Sequence, residues 1–387
     1  MPAKNDGVKG LPDRRRPGDD PHRKENVMDR PWMLYGANGY TGRLILDLAI
    51  ERGLRPVLAG RSAEKIKPLA DKHDLEMRIF DLDEAAKVES NLEGMGAVLH
   101  AAGPYSQTSR PMVLGCMATG AHYLDITGEY HVFERIMKVS DKAKAAGVVL
   151  LPGVGFDVVP TDCIAAMLKA EMPEANSLEL AFGAFGGKGP SVSKGTLKTM
   201  IEGAGYGAVI RRNGKIVNVP FTYKTPHVPF KKGAHRCVTL AWGDVSTAYH
   251  STGIENIIVY SVMPVAPIRV MGWLGPIMRI PPVVRFLQSR VEKNMDGPDE
   301  ESRKTSVTAL WGRVKNDQGE QVVITGEMRG GYSFTADSSL LALVKVLNGE
   351  VEPGSWTPSR AFGKNFVLET DGAHIDPPVR GPFEPLL

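Results

Sequence analysis

Three glycines spaced G-x-x-G-x-x-G, Gly36, Gly39 and Gly42, follow a short apolar run at 32–35 and open a helical pattern. Glycines at that spacing can hold a diphosphate. Gly36 permits a sharp strand-to-helix turn, Gly39 lets phosphates approach the backbone, and Gly42 lets the helix lie close on its strand. The start of the helix adds unpaired N–H groups and a partial positive charge. Ala37, Asn38, Tyr40 and Thr41 complete the loop. A glycine pattern alone says little in a chain with 42 glycines, but its place between a strand and a helix gives it weight.

The end of the next strand bears on which nucleotide binds. Sites for NAD usually carry an acidic residue about 20 positions beyond the first glycine, where it holds the ribose hydroxyls. Here Gly60-Arg61-Ser62 occupies that place, without a carboxylate. Arg61 and Ser62 would pair with a 2′-phosphate through charge-assisted hydrogen bonds, which predicts NADP(H); a solvated loop arginine is the alternative. Asp81, at the end of the third strand, would either meet the adenine amino group or cap the helix that follows. Ala101, Ala102 and Gly103 close the fourth strand with small residues, so that a cofactor can lie across the sheet edge.

Hydride chemistry also needs a proton donor or acceptor from the protein. Tyr105 follows the fourth strand, where a nicotinamide is expected, and either serves that ring or packs its own loop. No tyrosine has a lysine four residues later, which speaks against the Tyr/Lys mechanism of short-chain dehydrogenases. Asp125 and Asp157 are the other candidate catalytic residues, because a carboxylate in a closed cleft has a raised pKa. Both also stand in tight turns, where aspartate commonly binds its own backbone. Lys194 and Lys198, four apart on a predicted helix, would attract an acidic or thioester substrate or form a solvated face.

The elements that position these residues alternate. Strands are expected over 56–60, 77–82, 96–102, 122–126 and 148–151, with helices over 43–52, 63–73 (Ser62 as its cap), 111–119 and 132–146. With the first run these make six short buried strands joined by helices, the pattern of a doubly wound parallel α/β sheet of the Rossmann type. Beyond a helix at 163–171 the rhythm changes to strand-like runs at 178–185, 216–219, 238–242, 257–262, 307–314 and 321–327. These predict a second α+β domain with a largely antiparallel sheet and an inserted helix at 193–202. The expected division is a disordered tail at 1–30, a nucleotide-binding domain at 31–172 and a substrate or dimerisation domain at 173–334. A good apolar helix at 340–347 lies in a final stretch, 335–387, that can return to the first domain.

Composition narrows the field further. At 387 residues, 42% hydrophobic and 24% charged, the chain reads as an ordinary globular protein. The first 30 residues hold eight Lys/Arg against six Asp/Glu, leaving +1 of the net +3 on the rest, so no nucleic-acid face is expected. That tail has no apolar core of a secretory signal, and Met28, just before the first strand, would serve as a translation start. Cys116, Cys163 and Cys237 are far apart, and no C-x-x-C or H-E-x-x-H spacing occurs, so reduced thiols in a cytoplasmic protein and no metal site are expected. The stretch 257–291 is apolar but broken by five prolines and by Arg269, Arg279 and Arg285. It is too interrupted for the roughly 20 residues of a spanning helix. It reads either as a buried or homodimer-forming surface, or as a face for a lipid-like substrate or peripheral membrane contact.

The segments GANGYTGRL, AGRS, AAGPY, YLDITGE and PGVGFDVVPTD, with GTLKTM and TPSRAFGKNFVLE later in the chain, run in the order seen in the saccharopine dehydrogenase-like oxidoreductases. The chain resembles in particular the bacterial branch that includes trans-acting enoyl reductases. The resemblance covers roughly 32–372 and implies a Rossmann domain, a second α/β domain and a cleft between them. It leaves three readings open. One is an NADPH-dependent reductase of a C=C or C=O bond in an acyl or lipid-like small molecule. The second is a saccharopine-type dehydrogenase that reduces an imine, which would need arginines to clamp carboxylates. The third is a nucleotide-binding or interaction protein without turnover.

Overall fold

The computed structural model describes residues 31–186, 193–275, 277–294 and 297–383. The tail at 1–30, with Met28, lies outside them. The first half runs β1 (Trp32–Tyr35), α1 (Tyr40–Glu51), β2 (Val57–Gly60), α2 (Ala63–His73), β3 (Met77–Ile79), α3 (Ala85–Leu92), β4 (Ala97–His100), α4 (Tyr105–Thr119), β5 (His122–Asp125), α5 (Tyr130–Met137), α6 (Ser140–Ala145), β6 (Val149–Leu151) and α7 (Val159–Glu171). The second half runs β7 (Ser177–Phe185), α8 (Lys194–Gly203), β8 (Ala208–Arg212), β9 (Lys215–Val219), β10 (His227–Phe230), β11 (Gly233–Thr239), α9 (Asp244–Thr252) and β12 (Asn256–Val262). It continues through α10 (Val265–Trp273), α11 (Pro281–Asn294), α12 (Glu300–Thr305), β13 (Val307–Lys315), β14 (Gln321–Arg329), α13 (Gly331–Leu347), β15 (Gly354–Ser355), α14 (Pro358–Phe362), β16 (His374–Ile375) and β17 (Val379–Arg380).

The first sheet has the order β15-β6-β5-β4-β1-β2-β3, and every pairing in it is parallel. Leaving β15 aside, this is the doubly wound order with its crossover between β1 and β4. Side chains on the strands alternate between two cores. Trp32 and Leu34 face one apolar cluster with α1, α7 and α13, while Met33 and Tyr35 face the other with α4. Burial on both faces explains why β1, β2, β4 and β6 read as continuous apolar runs, while the edge strand β3 is partly exposed.

The second sheet is built around β10-β11-β12-β7-β13-β14-β16. Its pairings are antiparallel except β7 with β12, as the largely antiparallel expectation allowed. Leu178, Leu180 and Leu310 join the same core as Leu34 and Leu99, so one apolar layer runs continuously between the two sheets. The outer face holds Trp311 and Tyr260, with a buried Arg313–Glu179 ion pair whose Glu179 also accepts from the Tyr260 hydroxyl.

Several expected boundaries shift. The helix expected at 111–119 begins six residues earlier, at Tyr105, and that at 340–347 begins at Gly331. The stretch at 132–146 is two helices parted at Val139. Ser62 stands at the start of α2, but its side chain makes no capping bond. The cysteines are buried and free. Among the described residues no helix is long and apolar enough to cross a membrane.

Candidate functional site

Where β1 ends, the chain turns sharply. Gly36 has φ +91°, its N–H donates to Ala59 O at 2.8 Å, and its carbonyl accepts from Gly39 N at 2.9 Å. A Cβ on Gly36 would stand 2.8 Å from Ala102 Cβ and 2.9 Å from the Ala101 carbonyl. The small residues ending β4 and the bare Gly36 are therefore two halves of one close contact across the crossover point. A Cβ on Gly42 would stand 2.2 Å from Gly36 O, so the first turn of α1 fits only over a glycine. Gly39 is the N-cap of α1; no side chain caps that end, and its first turn carries no acidic residue. The N–H groups that begin a helix lack intrahelical partners, and here they are left for an anion. The cradle fits a dinucleotide diphosphate.

On one flank lie Asn38, Arg61 and Asp81. Asn38 Oδ1 sits beside Gly60, 3.3 Å from where a Cβ would be. Arg61 is exposed just after β2. Asp81 accepts from Lys87 Nζ at 3.2 Å and from Asp83 N at 3.4 Å, contacts that hold its carboxyl below the usual range.

On the other flank three loops converge. Tyr105 opens α4, and its hydroxyl donates to His100 O at 3.2 Å. Burial raises that phenol well above its ordinary pKa. The Glu129 carboxylate accepts from Tyr105 N at 2.8 Å and Ser106 N at 2.7 Å, capping α4 from a neighbouring loop. Asp125 is fully buried and accepts from Tyr123 Oη (2.6 Å), Thr127 N (3.0 Å) and Gly153 N (2.9 Å). It ties the loop after β5 to the loop after β6; burial pushes its carboxyl up to about 6 against those hydrogen bonds.

Asp157 differs from both. It is partly exposed, and its carboxyl makes no hydrogen bond among the described residues. Gly128 lies so close that a Cβ there would come within 2.8 Å of Asp157 Oδ2. Trp242 Nε1 donates to the Asp157 carbonyl at 2.5 Å and fixes the backbone. Burial first, and the negative charge of Glu129 second, push the Asp157 carboxyl up to about 7.

The second domain closes over this edge. Tyr40, in the glycine loop, donates its hydroxyl to Pro298 O at 2.6 Å and accepts from Arg303 Nη1 at 3.1 Å; its ring meets Tyr332 edge-on at 4.9 Å. The Tyr332 hydroxyl accepts from Ser193 N at 2.6 Å and lies 3.0 Å from Thr196 Oγ1, pinning the start of α8. Ser106 Oγ donates to Glu202 Oε1 at 3.0 Å, so α8 also rests on α4.

The structure thus gathers Gly36, Ala37, Asn38, Gly39, Tyr40, Thr41, Gly42, Ala101 and Ala102 at the crossover, with Gly103, Tyr105, Asp125 and Asp157 on one side and Arg61, Ser62 and Asp81 on the other. Glu129, Trp242, Arg303 and Tyr332 were not singled out from sequence. Glu129 had a signal, since it ends the segment YLDITGE; the other three are brought in by tertiary contacts alone.

Strand order, glycine turn and uncapped helix define a Rossmann dinucleotide-binding protein with a second sheet domain over the cofactor edge. Residues 32–151 match the family model described as saccharopine dehydrogenase NADP binding domain. A human saccharopine dehydrogenase-like oxidoreductase is 27% identical over 217 residues, covering 49% of this chain and 50% of that protein. A trans-acting enoyl reductase of Mycobacterium leprae is 31% identical over 156 residues, 38% of this chain and 37% of its own. The matched part of the chain spans half or less of these relatives' length. The apo saccharopine dehydrogenase (L-Glu forming) of Saccharomyces cerevisiae shares the fold, with a TM-score of 0.62 over 91% of this chain and 100% of that one at 14% identity. Over the matched residues the resemblance carried by the sequence motifs is borne out: the chain is similar there to saccharopine dehydrogenase-like oxidoreductases and trans-acting enoyl reductases.

Proposed function

We propose that the protein is an NADPH-dependent reductase of a C=C or C=O bond in an acyl or other apolar substrate. The observation that carries this reading is Asp157, a partly exposed carboxyl at the cofactor edge, unbonded among the described residues and pushed up to about 7. A bound reduced nicotinamide supplies a hydride. Asp157 Oδ holds a proton at neutral pH and delivers it to the carbon or oxygen left negative on the substrate, so that hydride and proton together complete the reduction. Glu129 keeps that proton in place by its charge, and Trp242 holds the Asp157 backbone still. Tyr105, with its hydroxyl engaged by His100 O, and Asp125, with three donors on its carboxylate, act as positioning residues for the loops around the site.

Arg61 supports NADPH over NADH, because an exposed guanidinium stands where a ribose-binding carboxylate would. The uncapped start of α1 would receive the diphosphate. Imine reduction of amino acids gains no support from the adjacent pair Arg211 and Arg212. Arg211 is spent inside the protein on Val245 O and Gly214 O, both at 2.7 Å, and on Glu134, while Arg212 turns to Tyr223 Oη at 2.8 Å.

The test is NADPH oxidation with enoyl thioesters, ketones, and pairs of a 2-oxo acid with an amine. Turnover of a thioester or ketone supports the proposal. Turnover of only the amine pairs would replace it with imine reduction, and NADPH binding with no oxidation on any substrate would make the protein non-catalytic.

A further inference from the structure

Outside the cofactor edge, the second domain carries an apolar surface that nothing in the described chain covers. Of the twelve large hydrophobic residues that stand exposed among the described residues, six fall within seventeen positions: Val270, Trp273, Leu274, Ile277, Ile280 and Phe286. Trp273 is 79% exposed and Phe286 61%. A seventh, Tyr206, is 62% exposed and lies under the Arg279 guanidinium at 5.4 Å, so it belongs to the same surface. Isolated exposed apolar side chains are ordinary; a contiguous set marks a contact surface.

The helical geometry makes the surface a stripe. Val270, Trp273 and Leu274 stand three and four positions apart at the end of α10 and its C-cap, and Ile277 opens the 3-10 turn Ile277–Arg279 that follows, whereas Ile268 is buried. The turn is fixed by Arg279 Nε donating to Gly205 O at 2.7 Å, and α11 lies against α8, with Gln288 Nε2 donating to Lys198 O at 3.3 Å. The stripe is therefore held on a folded base.

Charge selects the occupant. Between Glu255 and Glu292 the chain has four arginines, Arg269, Arg279, Arg285 and Arg290, and no carboxylate. All four are exposed, and Arg290 lies over the Phe286 ring at 5.8 Å. A second copy docking by the same face would set these arginines against their own counterparts, with no acidic residue in the segment to balance them. A layer of anionic lipid headgroups over hydrocarbon supplies both missing partners. Arginines reach phosphate while their stems stay on apolar surface, and Trp273 and Tyr206 are the residue types that settle at the headgroup level.

We infer that the face formed by α10, the 3-10 turn and the first half of α11 docks in plane on an anionic bilayer surface, with Trp273 and Phe286 entering the acyl boundary. The inference stands apart from the identity of the reductase substrate. It places α8 and the cofactor edge above the bilayer, reached through helix packing already described.

The experiment is co-sedimentation of the full chain with vesicles of phosphatidylcholine alone and of phosphatidylcholine with phosphatidylserine, alongside light scattering in solution. Binding to the mixed vesicles should exceed binding to the neutral ones and fall as salt is raised. Arg269→Gln with Arg285→Gln should lower the partition to mixed vesicles on the order of thirtyfold, at about 1 kcal/mol for each arginine near such a surface. Trp273→Ser with Phe286→Ser should abolish binding while circular dichroism stays unchanged. Equal binding to neutral and anionic vesicles, no binding to either, or wild-type binding by the two double variants would overturn the inference. So would a solution dimer that Trp273→Ser with Phe286→Ser converts to a monomer, because the face would then be a subunit interface.

Discussion

Replacing Asp157 with asparagine should make the protein more stable above neutrality while disabling it. The Asp157 carboxyl titrates near 3.8 when free and at about 7 in the fold. Each tenfold change in proton affinity corresponds to about 1.36 kcal/mol, so keeping this group ionised inside the fold costs up to roughly 4 kcal/mol. Partial contact with water screens some of that cost, and we expect about 2 kcal/mol. The sign follows from proton binding. Between pH 4 and 7 the folded state holds a proton that the unfolded state has lost, so rising pH removes stability until the folded group has ionised. Asparagine carries no such slope. Urea midpoints should therefore match at pH 4 and favour Asp157→Asn at pH 8. The same change should lower kcat/KM by about 10²–10⁴ and erase the fall in activity above pH 7, because the donated proton is gone. A variant less stable than wild type at pH 8, or one that keeps a full alkaline limb, would refute the assignment of Asp157 as a proton-holding acid.

Arg61→Asp should raise the Kd for NADPH at least tenfold and spare NADH, measured by fluorescence titration; equal losses for both would reject the 2′-phosphate role. Gly42→Ala puts a Cβ 2.2 Å from Gly36 O. It should cost about 1–3 kcal/mol of stability as overpacking does and weaken nucleotide binding with it; an unchanged protein would show that the loop yields freely. Tyr40→Phe removes the hydroxyl shared by Pro298 O and Arg303 Nη1. About 1 kcal/mol should be lost in denaturant unfolding, and no loss would mean that this contact between the glycine loop and the second domain is idle.

The first domain was legible because its inner strands, β1, β2, β4 and β6, are fully buried and announce themselves as apolar runs, and because Gly36 and Gly42 answer to collisions with nearby backbone. Elements stabilised from far away were not. Local sequence offers no reason for α4 to begin at Tyr105; the reason is the Glu129 carboxylate, which satisfies two N–H groups from another loop. The first turns of α13, Gly331 to Ser339, lie ahead of the apolar run at 340–347 that signals the helix. They are helical because Ser338 Oγ donates to Val154 O at 2.7 Å, while Phe156 N donates to Thr335 Oγ1 at 3.0 Å. α9 has a polar, weakly helical sequence, yet Ser251 and Ser246 bond to Asp162 and Glu134 at 2.6 and 2.7 Å. Within the site the residues on the glycine loop and the loop aspartates were nameable. Which aspartate is tied down and which is left unbonded depends on Tyr123, Gly153 and Gly128, whose spatial neighbours no spacing rule reveals.

The first sheet ends on a strand made of residues 354–355, laid beside β6, and α13 lies on α1 with an Arg52–Asp337 ion pair between them. On the ribosome, β6 is finished some 200 residues before its outer neighbour has been synthesised. The nucleotide domain must therefore wait, one edge open and one face of α1 uncovered, while the second sheet from β7 through β14 is made. An open parallel edge is a site for wrong pairing. Nascent chains halted shortly after β14 should accordingly hold the second sheet in protease-resistant form and leave the first one exposed to chaperones.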